Sequence, residues 1–225
     1  MPDHAPNDSA EQREARDNAM KRAESQSMDY ARRVGFTGVQ VLAVSEATDG
    51  AGRGYEMVFA GILGTGCGAG IAYKGAPLVG PNGLAGEWGH NPLPWTSEAE
   101  LTARPCYCGK AGCMETFLSG TGLCRSYQLA TGEQVKGHDI VERAAQGEAI
   151  AQRVLANYYD QLARGLATVI NSLDPDVIVL GGGASNIEAI YTEVPKFLPK
   201  YVFGRECDTP IVPAVHGDSS GDVRL

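Results

Sequence analysis

The chain reads Gly86-Glu87-Trp88-Gly89-His90 and, a little further on, Pro105-Cys106-Tyr107-Cys108-Gly109-Lys110-Ala111-Gly112-Cys113-Met114-Glu115. Three thiols and one imidazole are the donor set of a closed tetrahedral zinc site. The Cys-x-Cys step, with glycines leading to a third Cys, lets a tight loop wrap one ion. His90 comes from an upstream segment and would staple that segment to the loop. The competing reading is three buried or disulfide-bonded cysteines beside an unrelated histidine. Ligand types and spacing favour a structural zinc on His90, Cys106, Cys108 and Cys113. Glu87 stands three residues before His90, and Glu115 two after Cys113. A metal there would fix two carboxylates in space, and two fixed carboxylates suit a polyol ligand.

A chain of 225 residues can bury a real core and make one or two domains. Its formal net charge of −8 argues against a nucleic-acid or anionic-membrane partner. Half of the six cysteines lie in the zinc-like cluster, and Cys67, Cys124 and Cys207 are scattered. That usage fits thiolate ligands in a reducing cytoplasm better than a disulfide framework. No apolar run approaches the roughly 18 residues of a membrane helix. The N-terminus has no signal-peptide hydrophobic core.

Residues 1–36 form a divergent segment, expected to be disordered or loosely helical, because acids and bases mix there with few large apolar residues. From Val39 the chain reads as globular. Tyr55 to Leu63 reads as a buried strand, Gly64 to Gly68 as a turn, and Ala69 to Tyr73 as a returning strand closed by Lys74-Gly75. Glu115 to Leu129 is expected to form a helix just after the metal loop. Ile150, Val154, Leu155, Tyr158, Leu162, Leu166, Val169, Ile170 and Leu173 recur at helical steps, predicting a long helix that Asp174-Pro175 ends. Val177 to Leu180 reads as a short buried strand. Ser185 or Asn186 is expected to cap a following helix that runs to about Leu198.

Two glycine-rich turns bear on nucleotide binding. Gly64, Thr65 and Gly66 join two strands, where backbone N–H groups and a hydroxyl could approach a phosphate. An ordinary glycine hairpin fits the same residues equally well. Gly181, Gly182 and Gly183 lie between a strand and a helix, where small residues leave room for a nucleotide facing a helix N-terminus. A common strand-to-helix bend fits these too. Neither is a Walker A loop, because no Gly-Lys-Ser/Thr follows.

Together these residues resemble the ROK family of bacterial sugar kinases and repressors. Gly64-Thr65-Gly66, Glu87-x-Gly89-His90, the Cys106-x-Cys108-Gly109-x-x-Gly112-Cys113-x-Glu115 signature and Asp176 to Gly183 carry the resemblance. Glu87 to Trp95, Ser45 to Gly50 and His216 to Gly221 look closest to the bacterial ROK fructokinases. The resemblance implies an α/β fold of the actin/hexokinase (ribonuclease H-like) type, mainly its C-terminal lobe with an incomplete N-terminal lobe. The family region would be 37–225, with the zinc loop at 90–115. The resemblance further implies a hexose kinase using ATP with Mg2+, and a homodimer as a possible assembly. Fructose, phosphorylated at the 6-hydroxyl, is the first substrate. Glucose, mannose and N-acetylhexosamines are the alternatives. Glu87, Glu115 and His90 would contact the sugar. Gly64, Thr65 and Gly66 would face phosphate, and Gly181, Gly182 and Gly183 the adenosine.

Three departures bear on activity. The family opens with an Asp-x-Gly-Gly-Thr-type phosphate loop, and no such sequence is found here. An Asn-Asp-Ala-Asn-like segment, whose Asp is the general base, would fall at Phe36 to Val41, with Gly38 where the Asp belongs. The chain stops at Asp222-Val223-Arg224-Leu225, where the family continues into a last helix. The expectation is therefore a chain without its base that does not turn over fructose at a rate near that of intact relatives. A nonfunctional kinase remnant is an alternative. Brisk turnover would give the base's role to an unassigned acid such as Glu46 or Asp49. Loss of a general base costs roughly 10²- to 10⁴-fold. A ROK repressor is a rival reading, but 1–36 is too short for a winged-helix domain, and the acidic balance opposes DNA binding.

Overall fold

The structure, a computed structural model, describes residues 38–101 and 104–216, with side chains described from Leu42 onward. The expectations for 1–36 and for the stretch after His216 lie outside the described residues, which belong to one unit beginning at Gly38. β1 (Met57–Leu63) and β2 (Cys67–Tyr73) form an antiparallel hairpin with Leu63 opposite Cys67. Lys74 and Gly75 are both left-handed and turn the chain into the edge strand β3 (Ala76–Pro77). Such a two-residue turn matches the twist of its strands. β4 (Val177–Gly181) pairs parallel with β1, and β5 (Ile211–Pro213) parallel with β4. The sheet order is β3-β2-β1-β4-β5.

β1 and β4 are covered on both faces, so their sequences are continuous apolar runs rather than alternating ones. Val58, Ala60, Ala72, Val177 and Val179 pack on one side with Ala43 and Ala47 of α1 (Gly38–Thr48). Phe59, Ile71, Ile178 and Leu180 face the main core on the other. Sequence reading assigned no element to α1. Its residues are apolar nearly all round, which leaves no stripe to read.

α2 (Glu98–Leu101) buries no residue. The main core holds α3 (Glu115–Leu118), α4 (Gly120–Thr131), α5 (Gly137–Ala145) and α6 (Ala149–Leu173) in chain order, then α7 (Ile190–Tyr201). α6 is the expected long helix. Its buried Val154, Leu155, Tyr158, Leu162, Leu166, Val169 and Ile170 recur at helical spacing. Asp174 ends it in the left-handed region, its N–H donating to Ile170 O at 2.9 Å, and Pro175 prevents continuation.

Two expected elements differ from the structure. The helix expected over Glu115 to Leu129 is two helices, broken at an extended Ser119. The Ser119 hydroxyl donates to Glu115 O at 2.7 Å and accepts from Gly122 N at 3.0 Å. One side chain thus closes α3 and caps α4, which a smooth apolar period conceals. Ser185 and Asn186 cap no α-helix. They lie in a 3₁₀ turn, Gly183–Asn186, where the Ser185 hydroxyl donates to Gly182 O at 2.6 Å. α7 begins only at Ile190, not at Ser185 or Asn186 as expected. Among the described residues no helix is long and apolar enough to cross a membrane.

Candidate functional site

The segment carrying Glu87 and His90 is anchored by Trp88, which is buried and packs edge-on against Phe59 of β1 at 5.3 Å. Gly89 lies so close to β2 that a Cβ there would stand 1.8 Å from Cys67 O. Only glycine permits that approach. The loop from Arg104 to Cys113 folds back on itself, with Cys106 N donating to Lys110 O and Gly112 N to Arg104 O. It is clipped to the upstream segment by Leu93 N to Gly112 O and Met114 N to Asn91 O.

These backbone bonds bring four donors together. The ligand atoms of His90, Cys106, Cys108 and Cys113 lie within 4.8 Å of one another. His90 Nδ1 is 3.5 Å from Cys106 Sγ, and the Cys108 and Cys113 sulfurs are 3.6 Å apart. Around a tetrahedral zinc with bonds of about 2.0–2.3 Å, neighbouring ligand atoms stand roughly 3.5–3.8 Å apart. The chemistry of the four donors and these two separations suit that ion. All six cysteines are free thiols, so the disulfide reading of the cluster does not hold. The Lys110 backbone N–H lowers the Cys108 thiol to about 7, whereas burial pushes Cys113 up to about 12. Thiols this crowded repel as thiolates, and a divalent cation lets them ionise together.

Glu115 opens α3, and its Oε2 accepts a hydrogen bond from Cys67 N at 3.0 Å. Glu87 immediately precedes the 3₁₀ turn of His90. Tyr107, between the first two cysteines, is 83% exposed. Burial and then the charge of Glu115, followed by Cys106, Glu87 and Cys108, raise its phenol pKa. Both carboxylates thus bear on Tyr107. The His90 ring turns Nδ1 to the sulfurs and Nε2 to the Tyr107 hydroxyl, at 2.8 Å. Sequence reading gave Tyr107 no role. The signal was present: an aromatic residue fixed between two metal-type ligands has no core to enter.

The two glycine turns meet. Parallel pairing of β1 and β4 sets Ile62 beside Gly181. Gly182, at φ 85°, presses on the β1 end so closely that a Cβ would stand 2.7 Å from Leu63 C and 2.9 Å from Gly64 N. The start of α4 holds the first turn from the other side. Gly120 N donates to Gly64 O, and the Thr121 hydroxyl to Thr65 O, both at 2.7 Å. Among the described residues, the N–H groups of Thr65 and Gly66 donate to no protein acceptor. Thr65 and Gly183 are exposed. This is an amide-lined corner of the kind that suits an anion.

The remaining candidates lie elsewhere. Gly38 is the first residue of α1. Glu46 is fully buried and accepts from Ala51 N at 2.9 Å and His216 N at 2.7 Å. Asp49 pairs with His216 Nε2 at 2.9 Å. Both acids therefore hold loops in place. A further network escaped sequence reading. Arg164 of α6 bonds Glu100 and the carbonyls of Pro94 and Trp95, tying α6 to the segment after His90.

With this geometry in hand, the chain was compared with known proteins. The sequence model of a family described as the ROK family matches residues 21–223. An N-acetyl-D-glucosamine kinase of Vibrio parahaemolyticus is 40% identical over 183 residues, which cover 80% of this chain and 61% of the relative. The chain thus spans about three fifths of the length of that curated relative. The ROK hexokinase of Thermus thermophilus superposes with a TM-score of 0.71 at 29% identity, over 82% of this chain and 60% of that one. A ROK glucokinase of Streptomyces griseus, solved with glucose and AMPPNP, gives 0.70 at 27% identity, over 85% and 67%.

Proposed function

The chain belongs to the ROK family, and on that premise we propose that it forms the zinc-bearing, sugar- and nucleotide-binding part of an ATP-dependent hexose kinase. Its fold is the mixed α/β architecture of ROK hexokinases. The observation that carries the proposal is the hydrogen bond from Cys67 N to Glu115. It sets a carboxylate suited to sugar hydroxyls directly beside a turn whose free amides suit phosphate.

In this reading His90, Cys106, Cys108 and Cys113 hold zinc, which fixes the loop. Glu87 and Glu115 accept hydrogen bonds from sugar hydroxyls, and His90 also contacts the sugar. Thr65 and Gly66 amides donate to phosphate oxygens, and Gly181 to Gly183 lie against the adenosine. In transfer, a sugar hydroxyl oxygen attacks the γ-phosphorus, the bond to the bridging oxygen breaks, and the hydroxyl proton leaves to a base. Magnesium travels with the ATP. The chain contributes positioning and charge stabilisation. No base is assigned, because Gly38 has no carboxylate and Glu46 and Asp49 are engaged in loop contacts.

The substrate we favour is N-acetylglucosamine. The stretch from Glu87 to Trp95 suggested fructose, but the 40% identical relative is an N-acetyl-D-glucosamine kinase. The proposal takes 37–225 as the kinase region. It includes a reducing, cytoplasmic setting fitted to the free thiols and no nucleic-acid partner. It also includes a homodimer, which sedimentation equilibrium would read. Calorimetry with N-acetylglucosamine, fructose, glucose and mannose, alongside a coupled assay of ADP release, tests the whole. Expected are saturable binding tightest for N-acetylglucosamine and turnover roughly 10²- to 10⁴-fold below that of the relatives. Failure to bind any of the four at millimolar concentration defeats the sugar-site reading. Brisk fructose turnover defeats both the substrate choice and the missing base.

A further inference from the structure

We infer that Arg164 of α6 is a positioning residue for the metal site, fixing the segment that delivers His90 to the three cysteines. The inference rests on the zinc reading above and adds a residue to it.

The four donors are carried unequally. Cys106, Cys108 and Cys113 share one short loop that closes through its own backbone bonds. His90 stands 16 residues before Cys106, on a separate segment. Ordering such a span costs entropy, so a ligand it carries binds well when the span is already held. Two successive residues of α6 hold it, one on each side of His90. Ahead of His90, Trp88 packs at Gly165, where a Cβ would stand 3.1 Å from the indole. Behind His90, Arg164 Nη1 donates to Trp95 O at 3.1 Å and to Pro94 O at 3.3 Å. The turn that Arg164 grips is not one that local preference makes. Trp95 has a φ of 51°, in the left-handed region that bulky residues rarely adopt. Such a conformation persists where its surroundings impose it. Here they are Arg164 on the carbonyl and Tyr201 stacked on the indole at 5.1 Å.

Arg164 is itself fixed. It is 5% exposed, a burial that a charge tolerates when it is paired. Glu100 accepts from both Nη1 and Nη2, and Asp160 lies 3.1 Å from Nε. Glu100 in turn accepts from Ser97 N and from Gln161 Nε2, each at 3.0 Å. The planar guanidinium is thus a rigid fork, with carboxylates and backbone carbonyls at fixed places around it. It ties the stretch from Pro94 to Glu100 to α6 and so sets where His90 meets the cysteine loop.

The test uses the full 225-residue chain, its Arg164→Ala and Arg164→Lys variants, and His90→Ala for reference. Zinc affinity is read by competition with a chromophoric chelator. The ligand set is read from the visible absorption of the cobalt(II)-substituted chain, which changes when a nitrogen donor gives way to water. Expected is about tenfold weaker zinc binding to Arg164→Ala, with a cobalt spectrum shifted toward that of His90→Ala. Arg164→Lys keeps a charge for Glu100 and Asp160, and with it the fold, but loses the fork. It should fall between the parent and Arg164→Ala in both readouts. Arg164→Lys that matches the parent in affinity and spectrum overturns the inference, whether or not Arg164→Ala folds. Weaker zinc binding with an unchanged cobalt spectrum also overturns it, leaving Arg164 a general support of the fold. A parent chain that takes up neither metal overturns the zinc reading itself and this inference with it.

Discussion

Glu115 Oε2 accepts the backbone N–H of Cys67 at 3.0 Å, joining the helix that follows the metal loop to the end of the β1–β2 turn. The bond gives Glu115 a structural duty that Glu87 lacks. Among the described residues the Glu87 carboxylate has no hydrogen-bond donor from the protein. Glu115→Ala should therefore destabilise the chain by about 1–3 kcal/mol, because it leaves a part-buried N–H unpaired. Glu87→Ala should change stability by less than about 0.5 kcal/mol. Both should weaken sugar binding. Urea denaturation beside calorimetric titration separates the two effects, and equal stability losses would refute the distinction.

Metal removal gives a second expectation. Purified chain should carry one zinc, and Cys113→Ala should lose it. Binding and folding of such a loop are coupled, so a chelator should lower the melting temperature. Zinc should restore it and magnesium should not. A metal-free preparation that melts like the untreated protein would count against the site.

The contact between the two glycine turns is testable at Gly182. Its φ of 85° and the 2.7 Å approach to Leu63 C leave no room for a side chain. Gly182→Ala should cost about 2 kcal/mol or more, combining left-handed strain with overpacking. Gly183→Ala is the control, since nothing lies within 4 Å of a Cβ there. Denaturation midpoints that shift equally for both variants would contradict the packing described.

Acid stability should report on Glu100. Burial raises its carboxyl, but hydrogen bonds from Arg164, Ser97 N and Gln161 outweigh burial and lower it to about 2. A depressed carboxyl contributes stability that is present above its ordinary value of 4.5 and is lost as pH falls toward 2. Solvent screening of this partly exposed group limits the contribution to about 1 kcal/mol. Glu100→Gln should flatten the stability profile between those pH values, and an unchanged slope would show that the pair is idle.

The sequence by itself singled out His90, Cys106, Cys108 and Cys113, which the structure brings together, and determined the hairpin around Gly64–Gly66, the long α6 and its stop at Asp174-Pro175. These are written in local signals: residue type at fixed spacing, helical period, and a proline that forbids continuation. It missed α1, whose apolar residues carry no stripe. It fused α3 with α4 because one serine does the work of both a stop and a cap. It placed a helix N-terminus beside Gly183 that the structure moves to Ile190. Only the tertiary structure decided that Glu115 reaches Cys67, that Gly182 abuts Leu63, and that Tyr107 caps His90. Those three contacts depend on parallel pairing of β1 with β4 and on a loop folded back on itself. Residues far apart in the chain meet there through backbone geometry, which leaves no periodic trace in the sequence.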